Sequence, residues 1–114
     1  MDRRKELKDM YKNTKPLMGV FMFKHNPSNS CYIESTKDLK GTINSSKFKL
    51  GLGKHINKEL QKLWTADGES NFTIEILENL SYDESEAKDN YLEELNIIKM
   101  IWEERLTNEG KYLI

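Results

Sequence analysis

Hydrophobic and polar positions alternate along the chain in patterns that predict short elements. Met18-Gly19-Val20-Phe21-Met22-Phe23 is apolar without a break, as expected of a strand covered on both faces. Lys24 to Ser30 is dense in turn formers, and Cys31-Tyr32-Ile33 returns to β-branched and aromatic residues, so the two runs predict a hairpin with a long loop. A polar helix follows, opened by Thr36 or Ser35 as N-cap and carrying Leu39, Ile43 and Leu50 as its stripe. Gly41 and Ser45-Ser46 weaken that helix, which therefore depends on tertiary packing. Gly51-Leu52-Gly53 breaks the chain, and a second helix is predicted from Ile56 to Trp64 with Ile56, Leu60, Leu63 and Trp64 buried. After the turn Asp67-Gly68-Glu69-Ser70, Asn71 to Leu77 alternates as a half-buried strand.

The ends of the chain are helical by the same reasoning. Residues 2–13 read as a short helix with Leu7, Met10 and Tyr11 on one side and Arg3, Arg4, Lys5 and Lys8 elsewhere. Such basic amphipathic helices lie on membranes or nucleic acid, or more commonly cover a core with a snorkelling charged face. A long helix is predicted from about Glu84 to Arg105, with Tyr91, Leu92, Leu95, Ile98, Ile101, Trp102 and Leu106 on one arc. Asn108-Glu109-Gly110 stops it, and Tyr112-Leu113-Ile114 is an apolar tail suited to docking on the body. The expected layout is one α+β domain spanning residues 1–114, with an N-terminal helical extension (1–15), a C-terminal tail (107–114) and a small three-stranded antiparallel sheet flanked by helices.

Composition narrows the classes. With 114 residues, 32% charged and 37% hydrophobic, the chain suits a globular domain with a generous solvated surface. No apolar run approaches the roughly 18 residues of a membrane helix, and no apolar segment backs the charges of Met1 to Glu6 as in a secretory signal. The expectation is a cytoplasmic protein without a membrane partner. The lone Cys31 forms neither an internal disulfide nor a zinc site and reads as a small core hydrophobe. The net charge of −1 conceals a division: residues 1–62 carry 14 Lys and Arg against 6 Asp and Glu, and residues 63–114 carry 4 against 13. Either the basic half meets phosphate, or the two halves complement one another within the fold.

Gly19-Val20-Phe21, followed by Tyr32-Ile33-Glu34, resembles the paired signature of the GIY-YIG nuclease family. A second stretch is more specific: His55-Ile56-Asn57-Lys58-Glu59-Leu60-Gln61-Lys62-Leu63-Trp64, then Gly68, Asn71-Phe72 and Ile74 to Glu78, is similar to the family's H-x-N-x-x-L-Q-x-x-W segment and the strand after it. The resemblance runs from about Pro16 to Met100 and implies the family's α+β fold. It also implies phosphodiester hydrolysis assisted by one divalent metal, Mg2+ or Mn2+, acting on DNA or RNA.

Carried over position by position, the resemblance retains part of that chemistry. Phe21 stands where the family's first tyrosine acts beside the nucleophilic water, and it has no hydroxyl to relay a proton. Tyr32 matches the second tyrosine, and Glu34 replaces the following glycine, adding a carboxylate where phosphate would approach. Thr42 stands in for the helix arginine, so the bidentate guanidinium is missing. Glu94 best matches the metal-holding glutamate; it also falls inside the apolar arc of the last helix, between Ile98 and Ile101, while Glu93 falls outside. Glu94 is therefore either a residual metal ligand or an edge glutamate paired with a lysine such as Lys49. Tyr32 and His55 have structural alternatives too, as a cross-strand aromatic and a helix-end contact.

Three functions compete. The first is a GIY-YIG-like domain with lost or strongly reduced nuclease activity, serving as a nucleic-acid-binding or interaction module, with Lys40, Lys47, Lys49, Lys54, His55 and Asn57 as contacts. The second is an active metal-dependent endonuclease built on altered residues, with Tyr32 and Glu94 catalytic and Lys40, Lys47 or Lys49 replacing the arginine. The third is a protein-binding regulatory domain that never touches nucleic acid.

Overall fold

The unbroken apolar run becomes the spine of the sheet. In a computed structural model, which describes residues 16–82 and 91–114, it forms β1 (Met18–His25), where only Lys24 escapes full burial. β2 (Ser30–Thr36) returns antiparallel beside it, with Phe21 opposite Glu34 and Phe23 opposite Tyr32. Asn29 turns the corner at φ 58°, a conformation its short polar side chain tolerates. β3 (Phe72–Leu80) lies antiparallel along the other side of β1, reaching three residues beyond the predicted strand. The register shifts between Val20 and Phe21, leaving Leu77 as the extra residue of a bulge. Beside it, a Cβ on Gly19 would drive into the Glu78 carbonyl oxygen, so glycine is required by close approach.

The sequence predicts three antiparallel strands, but among the described residues the sheet has four and is mixed. β4 (Tyr112–Leu113) lies parallel to β2, giving the order β3-β1-β2-β4. The Tyr112 N–H donates to the Asn29 carbonyl at 3.0 Å and the Ile114 N–H to the Cys31 carbonyl at 2.9 Å. A strand of two residues has no period to read, so the docking tail gave no strand signal.

Helices cover both faces. On one side, α1 (Leu39–Gly51) and α2 (Lys58–Asp67) enclose Phe21, Phe23, Tyr32, Leu39, Leu50, Leu60, Trp64 and Phe72. On the other, α3 (Leu92–Asn108) packs Leu106 against Val20, Met22, Cys31 and Ile33, and Leu95 joins Tyr91 over Met18. Cys31 is buried, as its small hydrophobic character suggests. No helix among the described residues is long and apolar enough to cross a membrane.

Three helix expectations shift. Asp38, rather than Thr36 or Ser35, caps α1, its Oδ1 accepting the Gly41 N–H at 3.0 Å, while the Thr36 hydroxyl accepts the Asp38 N–H at 3.1 Å. α2 begins after Asn57, whose Oδ1 accepts the Leu60 N–H at 3.0 Å; Ile56 therefore precedes the cap and is 88% exposed instead of buried. In the last helix Leu92 and Ile101 are exposed, because a helix lying on one flat sheet buries a narrower stripe than the full apolar arc. That helix ends at Asn108, and Gly110, with φ 88°, turns the chain away just beyond its C-cap Glu109. The predicted helix over residues 2–13 and the predicted start at Glu84 lie outside the described residues.

Candidate functional site

The site grows out of the junction between β2 and α1. Asp38 and Thr42 lie on the first turns of α1, and Ser45 and Lys49 continue the same side one and two turns later. Together with Glu34 from β2 and His55 from the loop before α2, they line a cleft of about 380 Å³. Its wall is polar because each strand alternates: Tyr32 and Glu34 face α1, while Cys31 and Ile33 face α3.

Tyr32 is 9% exposed and donates its hydroxyl to Glu34 Oε1 at 2.6 Å. Burial first, then the Glu34 carboxylate as acceptor and as charge, holds its ionisation well above the ordinary tyrosine range. The hydroxyl therefore stays protonated and engaged. His55 meets the Tyr32 ring edge-on, with centroids 5.3 Å apart and planes at 89°. Its Nδ1 accepts the Asn57 N–H at 3.0 Å. Burial lowers the imidazole pKa against the opposing pull of Glu34, and Lys49 adds to the lowering. A neutral ring whose Nδ1 accepts a hydrogen bond carries its proton on Nε2, so His55 offers a donor, not a base, at that atom.

Other expected site residues fall in several places. Phe21 is completely buried, its ring 5.7 Å from that of Phe23, in the aromatic core behind the cleft. The Thr42 hydroxyl lies 2.6 Å from the Thr36 hydroxyl, a neutral pair where a guanidinium would put charge. Lys40, Lys49 and Lys54 are exposed, whereas Lys47 pairs with Glu69 at 2.8 Å. Asn57 is occupied as the α2 cap. Glu94 is half-buried on the first turn of α3, against the opposite face of the sheet, and is not among the residues lining the cleft. The fold thus gathers Tyr32, Glu34, Thr42, Lys49 and His55; Phe21 lies opposite Glu34 but sealed in the core behind the cleft, and Glu94 is not among the lining residues. Asp38 and Ser45 were not anticipated, although the spacing of 38, 42, 45 and 49 along one helix side was present as a signal.

The side chains of the cleft do not fit the divalent ion that the family resemblance implies. Glu34 holds the Tyr32 hydroxyl, Asp38 caps α1 and His55 Nδ1 is engaged by Asn57. Among the described residues, no group of three or more His, Cys, Asp and Glu side chains is placed to hold a metal.

No family model and no curated protein matches the chain. Among solved structures, its fold is similar to the catalytic domain of the homing endonuclease I-TevI, a GIY-YIG enzyme, with a TM-score of 0.66 and 22% identity over 85% of this chain and 97% of that domain. A glutamate-to-alanine mutant of the same intron endonuclease domain matches with a TM-score of 0.65 and 21% identity, covering 84% of this chain and 90% of that one. The resemblance drawn from the hairpin and the His55 segment thus extends to the three-dimensional fold.

Proposed function

We propose that this chain is a nuclease-fold domain that no longer hydrolyses phosphodiesters and binds DNA or RNA through the side of the molecule built by α1 and α2. The observation that carries the reading is the state of the two family tyrosine positions. Phe21 is sealed in the core without a hydroxyl, and the Tyr32 hydroxyl is committed to Glu34. With Thr42 in place of a guanidinium and two carboxylates, Glu34 and Asp38, in the cleft wall, the transferring phosphate meets neither a proton acceptor aimed at water nor concentrated positive charge. The loss of either feature costs on the order of a hundredfold or more in rate.

Binding draws on a different set of residues. Residues 37–67 carry seven lysines against three acids, and two of those acids are engaged: Asp38 caps α1 and Asp67 lies 2.6 Å from His25. Lys40, Lys49, Lys54, Lys58 and Lys62 are exposed on this side, and His55 adds its Nε2 donor.

Two measurements on the full chain test the reading. The logarithm of the affinity for labelled DNA and RNA should fall linearly with the logarithm of salt concentration, and Lys49→Gln with Lys54→Gln should flatten that slope. Incubation with supercoiled plasmid in Mg2+ or Mn2+ should leave the plasmid intact. Nicking that disappears in Glu94→Ala would establish the active endonuclease instead, and absence of binding at low salt would favour the protein-binding alternative.

A further inference from the structure

The exposed chain that runs from the end of α1 to the cleft wall at Ile56 is apolar where a purely ionic phosphate site would be hydrophilic. Phe48 is 69% exposed, Leu52 55% and Ile56 88%, within nine residues of chain. Phe48 and Leu52 share the α1 side with Ser45 and Lys49, and the Leu52 N–H donates to the Phe48 carbonyl at 3.1 Å, so the two side chains stand one turn apart. Ile56 belongs to the cleft wall itself, beside Lys49 and His55. Lys49, Lys54 and Lys58, all exposed, are interleaved with these three apolar residues.

Exposed apolar groups set among cations match a ligand that is both anionic and flat-faced. A duplex presents phosphates and base edges but keeps its base faces stacked, so an outward phenyl ring gains little from it. A single strand presents phosphates and base faces together. We infer that Phe48, backed by Leu52 and Ile56, is a stacking platform for unpaired bases of single-stranded nucleic acid, with the strand's phosphates following Lys49, Lys54 and Lys58. This rests on the nucleic-acid reading above and names the form of nucleic acid recognised. A single aromatic ring is enough for one or two bases and sets no sequence, because every base has a π face.

The test measures binding of the full chain to labelled oligothymidylate and to a mixed-sequence duplex by fluorescence anisotropy across a salt series. Phe48 is surface-exposed, so Phe48→Ala leaves the core untouched. The single strand should bind more tightly than the duplex, Phe48→Ala should weaken single-strand binding about tenfold without changing the salt slope or duplex affinity, and Phe48→Trp should preserve it. Equal affinity for both forms, or no effect of Phe48→Ala while salt-dependent binding persists, overturns the platform and leaves the broader reading standing. No binding of either form at low salt overturns both. An acidic peptide that binds the wild-type chain but not Phe48→Ala while nucleic acid binds neither is part of that second outcome.

Discussion

On one face of the sheet, Phe21 and Tyr32 meet Phe23 ring to ring, and Phe23 and Phe72 meet Trp64; on the other, Val20, Met22, Cys31 and Ile33 close directly on Leu106. The aromatic face holds both histidines, His25 and His55, and lies under the lysine-rich α1 and α2. The aliphatic face lies under α3, whose first turn is acidic with Glu93 and Glu94 and whose later turns carry Glu103 and Glu104. Branched and sulfur-containing side chains have no polar tips, so they can fill their space to closure. Tyrosine and histidine bury a ring and still bring a hydrogen-bonding atom to the rim, as Tyr32 does for Glu34. A cleft lined by ordered polar groups therefore forms on the aromatic face, and the aliphatic face serves as its foundation.

The largest test of that division is a pair of truncations. Phe23 contacts three rings at once: Phe21 at 5.7 Å, Trp64 at 6.0 Å and Tyr32 at 6.4 Å between centroids. Phe23→Ala should cost about 4 kcal/mol and Leu106→Ala about 3 kcal/mol in urea unfolding, the difference reflecting the larger cavity and the lost ring contacts. Only Phe23→Ala should also disturb the Tyr32–His55 contact and weaken nucleic-acid binding in protein that remains folded. Equal loss of binding in both variants would mean that the two faces do not act separately.

His25 gives a smaller test at the far end of the aromatic face. The Asp67 carboxylate can only accept a hydrogen bond, so His25 donates from Nε2 at 2.6 Å, while its Nδ1 lies 2.6 Å from the Ser28 hydroxyl. The imidazole, packed 5.1 Å from the Phe72 ring, thereby ties the hairpin loop to the last residue of α2. His25→Ala should destabilise the domain by about 2 kcal/mol and raise amide exchange in residues 26–29 before that of α3. Simultaneous loosening of α3 would show that both faces unfold as one unit.

These contrasts also explain which parts of the molecule could be read in the sequence. The buried β1, the alternation of β3 and the stripe of α1 come from periodic runs, and each appears near its expected place. β4 is too short for any period, and it forms only because the chain after Gly110 returns to β2. The exposure of Ile56 turned on one competition, since Asn57 offers a capping oxygen and Ile56 offers only bulk. Within the cleft, Tyr32, Glu34, Thr42 and Lys49 were anticipated through the family resemblance. Asp38 and Ser45 join them because of how α1 is rotated about its axis, which is set by Leu39 and Leu50 packing on the aromatic core. Glu94 illustrates the opposite case: its place on the helical arc was legible, but which sheet face that helix would cover was not.

The smallest effect is a pH dependence confined to the aromatic face. The folded-state pKa of His55 is depressed, chiefly by burial, so the folded protein binds fewer protons than the unfolded chain once pH falls below the ordinary histidine range of about 6.5. The stability that the neutral ring contributes is therefore fully present above that range and is lost as pH falls through it. His55→Gln keeps a side-chain acceptor near the Asn57 N–H but cannot titrate. Urea midpoints at pH 7.5 and 5.5 should fall further for the wild-type chain than for His55→Gln, while His25→Ala should retain the His55 contribution to the difference. Equal falls in wild type and His55→Gln would place the titrating group elsewhere and remove the claim that His55 is held neutral against Tyr32.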